Sequence, residues 1–522
     1  MWRRLHQRPH ALAAAGRLTE VADLARTALN QTTPPAQVAH LHYVLSYILL
    51  LAGRPTEAVT EAEKALSGPD LSAELRGLAE QVLFQGMFAG DDGWRGHERA
   101  QAIVAAAERH TPPARASAHT LLAGIDWAHG QAARAIEHIR EAVRVASDGP
   151  IQAQHTHPRL LLANALIGMR QLEEAETVLQ TADQEITALG HTTYAVGPAI
   201  SRARLRLAAG RIDDAAAEAQ AGLAMAEDLG MHVFDLMGIA VLALVAARHN
   251  DIDTAIRHAE QHRSRRQAGQ GGMYGSGWCQ WVMALVAEAH AGPETAIDAL
   301  SPTCTDPTAR RRLLMAEPGA AAWVTRTALA AGDHSTAQEI VISAESLAEN
   351  NPDFATLAAS AAHARGVLHN DAVALAHGAA THVGTWDRAS AAEDLGVRHA
   401  ARPGAGGRDA AIRSLDQALQ GYEQTDALRD TDRIRARLRK LGVRRHHGSR
   451  SERPASGWDS LTDTEHKIAT LVAQGLTNPQ VAARVFISPH TVKFHLCRVF
   501  RKLGIASRVE LARLTTEHAP DV

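Results

Sequence analysis

AGRLTEVADLARTAL, starting at Ala15, and AGRPTEAVTEAEKAL, starting at Ala52, are two spellings of one phrase. The phrase returns at His129 (HGQAARAIEHIREAV), Met169 (MRQLEEAETVLQTAD), Ala209 (AGRIDDAAAEAQAGL), His249 (HNDIDTAIRHAEQHR) and Ala331 (AGDHSTAQEIVISAE). Degenerate forms stand at Ala291 (AGPETAIDAL) and Ala405 (AGGRDAAIRSLDQAL). The copies from His129 to His249 start 40 residues apart, and the gap after Ala52 leaves room for a blurred copy near Asp92–His110. Every copy has the same grammar. An apolar helix ends at Gly or Asn, which tolerate the left-handed C-terminal position. A polar turn with Asp, Thr or Glu then opens a second helix. Small residues follow at helical spacing, as in Ala58, Ala62 and Ala65 or Ala215, Ala219 and Ala226. They let a neighbouring helix approach closely while Leu and Ile fill the seam. A lone pair of such helices cannot bury its apolar stripe, so the pairs stack into one continuous core. The expectation is an all-α chain whose residues 1–441 form a right-handed α-solenoid.

This pattern resembles the tetratricopeptide class, although a 40-residue period exceeds that class's ~34 and implies longer helices. The concave groove of such an array suits a peptide, a protein or a small molecule, and the sequence does not choose among them. Composition agrees with an array. At 522 residues the chain exceeds the ~250–300 that one core supports, 46% of it is hydrophobic, and aromatics are only 4%. Cys279, Cys304 and Cys497 have no metal-ligand spacing, which excludes a disulfide framework or zinc finger. No apolar run follows Met1–Gln7, and the longest apolar stretches, such as Met237–Ala247, are too short to span a membrane. A cytoplasmic protein is expected.

Chemistry is hard to find in the repeats. The Gly269–Gly277 run (GQGGMYGSG) lacks the Lys-Ser/Thr of a phosphate loop, and no Gly-Lys pair occurs anywhere. It reads as a ligand loop or, the blander alternative, as a connection between repeat helices. His155-x-His157 and His258-x-x-x-His262 each bring two imidazoles together, without a nearby Cys or carboxylate set. A zinc site needs three or four convergent ligands, so solvated or capping histidines are the reading. No nucleophile elbow or catalytic triad order is present. The expectation is no enzyme, no cofactor and no metal.

Charge is unevenly placed. From Arg433 to Val522 there are 17 Lys/Arg against 7 Asp/Glu, while Met1–Asp432 holds 37 against 50. An acidic body with a basic tail points to a nucleic-acid contact confined to the tail. After a last helix at Asp432–Leu441, residues 442–457 (GVRRHHGSRSERPASG) read as an Arg-rich flexible linker whose arginines either touch DNA phosphates or keep the hinge soluble. Residues 458–522 then carry dense helix signals. Thr462-x-x-Glu465 and Thr477-x-x-Gln480 are capping boxes. Ser488-Pro489 is an N-cap with proline at the first helical position, and Ser507-x-x-Glu510 caps a fourth helix. Two short helices joined by Phe486–Ile487–Ser488 match a helix-turn-helix.

The stretch LTDTEHKIATLVAQGLTNPQVAARVFISPHTVKFHLCRVFRKLGIASRVEL resembles the LuxR-type helix-turn-helix. The matching residues are Leu461, Thr462, Glu465, Gly475, Thr477, Asn478, Ala482, Ser488, Thr491, Val492, Lys493, His495, Lys502, Leu503 and Arg508. The resemblance implies a transcription regulator whose third helix, Ser488–Leu503, enters the major groove of promoter DNA. Its first turns expose His490, Thr491, Lys493, Phe494 and Cys497, while Val492, Leu496 and Val499 pack inward. Lys493 is the candidate for guanine O6 and N7, and Phe494 for a thymine methyl. Cys497 stands where relatives often carry a basic or polar residue, and is either a weak reader or a half-buried thiol. His495 supports the domain. Asn478, Ser488, Arg498, Arg501 and Lys502 would position the phosphate backbone. Val509, Leu511 and Leu514 of the fourth helix resemble the family's dimer contact, or else complete the small core. A homodimer on two half-sites, contact with RNA polymerase, and an effector in the repeat groove complete the implied partners. Relatives of this architecture usually carry an ATPase module upstream. This chain has no Walker motif and its repeats start almost at Met1, so ATP-dependent switching is not expected. The competing reading is a non-enzymatic scaffold with a degenerate head.

Overall fold

The computed structural model describes residues 18–31, 35–90, 92–150, 157–188, 192–270, 276–443, 457–485 and 489–518. Among them the regular secondary structure is helical, without a strand, so the all-α expectation holds. The repeat phrase does what its grammar predicts. Helices pair as Pro35–Leu51 with Pro55–Leu66, Pro112–Ala128 with Ala132–Asp148, Pro158–Gly168 with Leu172–Ala188, Val196–Ala208 with Ile212–Leu229, and Asp235–Arg248 with Ile252–Gln267. Further pairs continue as Ser276–Ala291 with Pro293–Thr305, Ala320–Ala330 with His334–Asn350, Ala355–His369 with Ala372–Thr381, and Thr385–Ala400 with Ala405–Gln424.

The turn inside a hairpin needs one residue at positive φ. Gly53, Gly130, Gly210 and Gly332 supply it at +73 to +79°, and Asn250 and Asn370 at +61° and +55°, the residue types that bear this conformation at least cost. Asn370 belongs to a copy (HNDAVAL from His369) that the sequence reading did not pick out, although it repeats the HND of His249. Met169–Gln171 differs: Arg170 takes φ +60°, and its side chain is held by Glu317 and by Asp387 at 3.2 Å. The degenerate phrase at Ala405 also differs. Pro403 and Gly404 (φ +94°) make the turn, and AGGRDAA opens the second helix instead of forming the turn.

First helices are enclosed; Asp235–Arg248 is buried at every position. Second helices bury one stripe, including Ala58, Ala62, Ala65, Ala215, Ala219 and Ala226. One apolar cluster runs from Leu18 to Ala364, a second covers Ala379–Leu438, and a third is confined to Leu461–Leu511.

The stack also closes on itself, which local periodicity does not announce. Asn351 bonds the Ala132 amide at 2.8 Å and the Gly130 carbonyl at 2.7 Å, across separations of 219 and 221 residues. Arg170 meets Asp387 across 217 residues, the Gly210 turn abuts Thr425, and the His232 amide bonds the Leu51 carbonyl at 3.0 Å. Helix Pro307–Ala316 packs between Pro112–Ala128 and Pro158–Gly168. Partly open hollows lie between the stacked helices. His155 and most of the linker lie outside the described residues. His262 is buried, His258 half-buried, and no metal-holding cluster of His, Cys, Asp or Glu occurs among the described residues. None of their helices is long and apolar enough to cross a membrane.

Candidate nucleic-acid interface

The tail folds around its capping signals. Thr462 Oγ1 accepts the Glu465 amide at 3.2 Å while Glu465 Oε2 accepts the Thr462 amide at 2.9 Å, a complete capping box opening Asp463–Ala473. Gln480 Oε1 accepts the Thr477 amide at 2.9 Å at the start of Asn478–Val485. Ser507 Oγ accepts the Glu510 amide at 3.2 Å and opens Arg508–Glu517. Pro489–Leu503 is the third helix; the Phe486–Ile487–Ser488 turn before it lies outside the described residues. Ile468, Val472, Val481, Ala482, Val492, Leu496, Val499 and Leu511 form the core, with Leu471, Val485 and Leu503 packed against it. Gly457 donates to the Lys502 carbonyl at 2.8 Å and ties the incoming chain to the third helix.

The third helix shows two faces. Val492, Leu496 and Val499 are buried, whereas Lys493, Cys497 and Arg501, four residues apart, form an exposed stripe with half-buried Phe494 beside it. His490 and Thr491 fall in the first turn of this helix, and their side chains, like all of Ser488, lie outside the described part. The Cys497 thiol is exposed, so of the two readings of that residue the half-buried one drops out.

Other assigned residues also have partners within the head. Lys502 Nζ lies 2.6 Å from Glu465 Oε2 and 3.0 Å from the Ser460 carbonyl, and Arg498 Nε lies 3.4 Å from Glu465 Oε1. Burial alone would raise the Glu465 carboxyl; the Lys502 ammonium and the Thr462 amide outweigh it and hold the group below the usual carboxylate range. Both cations face this internal carboxylate. Asn478 Oδ1 accepts from Arg508 Nη2, whose Nη1 donates to the Leu476 carbonyl at 3.0 Å. Of the three dimer candidates, Leu511 is fully buried in the head's own core, Leu514 is half-buried and Val509 is 80% exposed. His495 is 1% exposed, and burial pushes its imidazole down to about 4, so it is neutral and structural.

Sequence reasoning missed a contact on the other side. The body helix Ile212–Leu229 packs against the third head helix. Arg211 at its start donates from Nη2 to Thr464 Oγ1 at 2.7 Å, and Asp214 acts electrostatically on His495. Nothing in a repeat phrase marks Arg211 as a docking residue; its Gly-Arg turn is shared with Arg17 and Arg54.

Comparison with known proteins covers this part of the chain. The profile of the family described as bacterial regulatory proteins, luxR family, matches residues 459–515. Over 69 residues the chain is 52% identical to a Mycobacterium bovis protein, Mb0914c, whose name places it among HTH-type transcriptional regulators; the match covers 13% of this chain and 8% of that one. It is 51% identical over 51 residues to a nitrate/nitrite response regulator protein homolog of Haemophilus influenzae (10% and 24%). It is 33% identical over 104 residues to the DNA-binding transcriptional activator DevR/DosR of Mycobacterium tuberculosis (19% and 46%). The chain thus spans only 8% of the length of the first of these relatives. Residues 459–515 are a helix-turn-helix domain of the luxR family of bacterial regulatory proteins.

Proposed function

We propose that the chain is a cytoplasmic DNA-binding transcription regulator, without enzymatic activity of its own, whose head reads promoter DNA through Pro489–Leu503. The observation that carries this is the exposed stripe Lys493, Cys497 and Arg501 on the third helix of a luxR-type domain. Lys493 supplies a base-edge donor, Phe494 an apolar contact to a thymine methyl, and Arg501 a phosphate contact. His490, Thr491, Ser488 and Asn478 complete the approach to the backbone at the two helix starts. The two heads of a homodimer meet through the fourth helix, with Val509 outermost, and read half-sites about one helical turn apart. Ile212–Leu229 packs on the side of the third helix away from this stripe, and the stripe stays exposed with the body in place.

Fluorescence anisotropy on double-stranded oligonucleotides tests this with residues 457–518, which own a separate core, beside the full chain. The fragment binds with affinity that falls linearly in log salt, each phosphate contact contributing a slope of about −0.9. A fragment without salt-sensitive affinity for any duplex refutes the regulator reading and leaves the scaffold.

A further inference from the structure

The body contains buried N–H donors that its own residues do not match. A small hollow inside the stack is lined by Arg170, Arg204 and Arg248 together with Glu317 and Asp387. Both carboxylates are engaged by Arg170. Arg204, 3% exposed, has only neutral hydrogen-bond partners, the Asn164 Oδ1 at 3.2 Å and the Ala316 carbonyl at 2.6 Å. Its Nε has no acceptor on the protein, nor do Nε and Nη1 of Arg248, which is 9% exposed. Trp281, in the same lining, has a buried Nε1–H without an acceptor as well. Indole rings cover the flat faces of the two arginines: Trp278 lies 5.3 Å from Arg204 and Trp386 lies 5.0 Å from Arg248. That stacking stabilises a cation and leaves the in-plane N–H groups, the part that grips a carboxylate or phosphate, to their hydrogen bonds, of which Arg204 Nε and Arg248 Nε and Nη1 make none on the protein.

A second, larger hollow adjoins, and Arg204 lines both. Its walls are largely apolar, with Phe88, Leu121, Ile125, Trp127 and Leu161 among them. Donors without acceptors at one end and an apolar chamber at the other are the two halves of a small-molecule site. Buried donors and unpaired buried charges are costly unless something satisfies them. We propose that this interior binds a small molecule with an oxyanion, carboxylate or phosphate, on a flat apolar body. The oxyanion accepts from Arg204, Arg248 and the Trp281 indole, and the body fills the chamber beyond Arg204. Burial also pushes Arg204 down to about 10 and lowers Arg248; an anion beside them reverses that direction. The site lies wholly within the body and does not rest on the DNA reading.

The test is calorimetric titration of the full chain with 2-naphthoate, with 2-naphthyl phosphate, and with neutral 2-naphthamide. At least one anion binds at a single site, about tenfold or more tighter than the amide, and the tighter anion identifies the head group. Arg248→Met weakens that anion by about tenfold or more at unchanged helicity. Should Arg248→Met not fold, Trp281→Phe, which removes one N–H and little else, weakens it by about threefold or more. Absence of binding by both anions, equal affinity for anion and amide, or anion binding untouched in a folded variant overturns the proposal.

Discussion

Lys502→Met decides whether that lysine holds the head together or holds a phosphate. Its Nζ lies 2.6 Å from a Glu465 carboxylate that is 1% exposed, while its own side chain is 18% exposed. Breaking a fully buried pair costs about 3–5 kcal/mol and breaking an exposed one about 0–1. One partner here is enclosed and the other reaches water, and Arg498 stays 3.4 Å from the same carboxylate, so the expected loss is about 2 kcal/mol. In a domain this small that corresponds to a drop in Tm of about 10 °C. Methionine keeps much of the apolar stem, which leaves the charge as the main thing removed. Circular dichroism of residues 457–518 during heating measures the first effect, and salt titration of duplex binding below the transition measures the second. The melting point falls and the slope of log affinity against log salt stays as in the parent. A variant that melts with the parent while its slope shrinks by about 0.9 places Lys502 on a phosphate and refutes the internal role.

Lys493→Ala weakens a cognate site by about 1–3 kcal/mol and relaxes its sequence preference, whereas Arg501→Ala weakens all sequences alike and flattens the salt slope by about 0.9; competition assays with point-mutated sites separate them. Arg211→Ala removes the bond to Thr464, and because the reading stripe is exposed with the body docked the duplex affinity of the full chain stays within about twofold of the parent; a rise of about tenfold counts against an accessible stripe. For His495, the folded value of about 4 lies below the unfolded ~6.5, so the unfolded head takes up the proton first. Its contribution is complete above about pH 6.5 and is lost as pH falls toward 4, on the order of 2–3 kcal/mol; urea unfolding at pH 7 and pH 5 shows the loss, and His495→Leu flattens it. Gly210→Ala and Gly332→Ala put the same Cβ at φ +77° and +79°, but only at Gly210 does it meet Thr425 Cγ2, at 2.7 Å. Gly210→Ala is therefore the more destabilising by about 1 kcal/mol or more, read from thermal unfolding of the full chain.

What the sequence disclosed was whatever is encoded within a turn or two of helix. The Thr462–Glu465 box, the alanine stripes of the second helices and the Gly or Asn of the turns at Gly53, Gly130, Gly210, Asn250 and Gly332 are local patterns, and the structure contains them where they were read. What it withheld depends on residues far apart in the chain. Arg170 sits at a turn position that elsewhere takes Gly or Asn, and only its partners Glu317 and Asp387 explain why an arginine is tolerated there. Arg202, Arg204 and Arg248 are buried, yet in the sequence they are indistinguishable from the many arginines on solvated faces. Leu511 and Val509 looked equivalent as members of one helix, and only the packing of that helix on Asp463–Ala473 separates the enclosed residue from the exposed one. Lys502 carried both a family role and a local one, and the carboxylate that claims it stands 37 residues earlier.

The closure of the stack constrains how this protein can change size. Gly130 with Asn351 and Arg170 with Asp387 are spaced 221 and 217 residues apart, so each bond spans a fixed number of intervening hairpins. Duplicating or deleting one unit between them would carry every such partner past its mate at once, orphaning a buried guanidinium and several amides together. An open stack gains and loses units piecemeal at little penalty; this one is locked to its present copy number, and evolutionary growth must come from lengthened loops rather than added units.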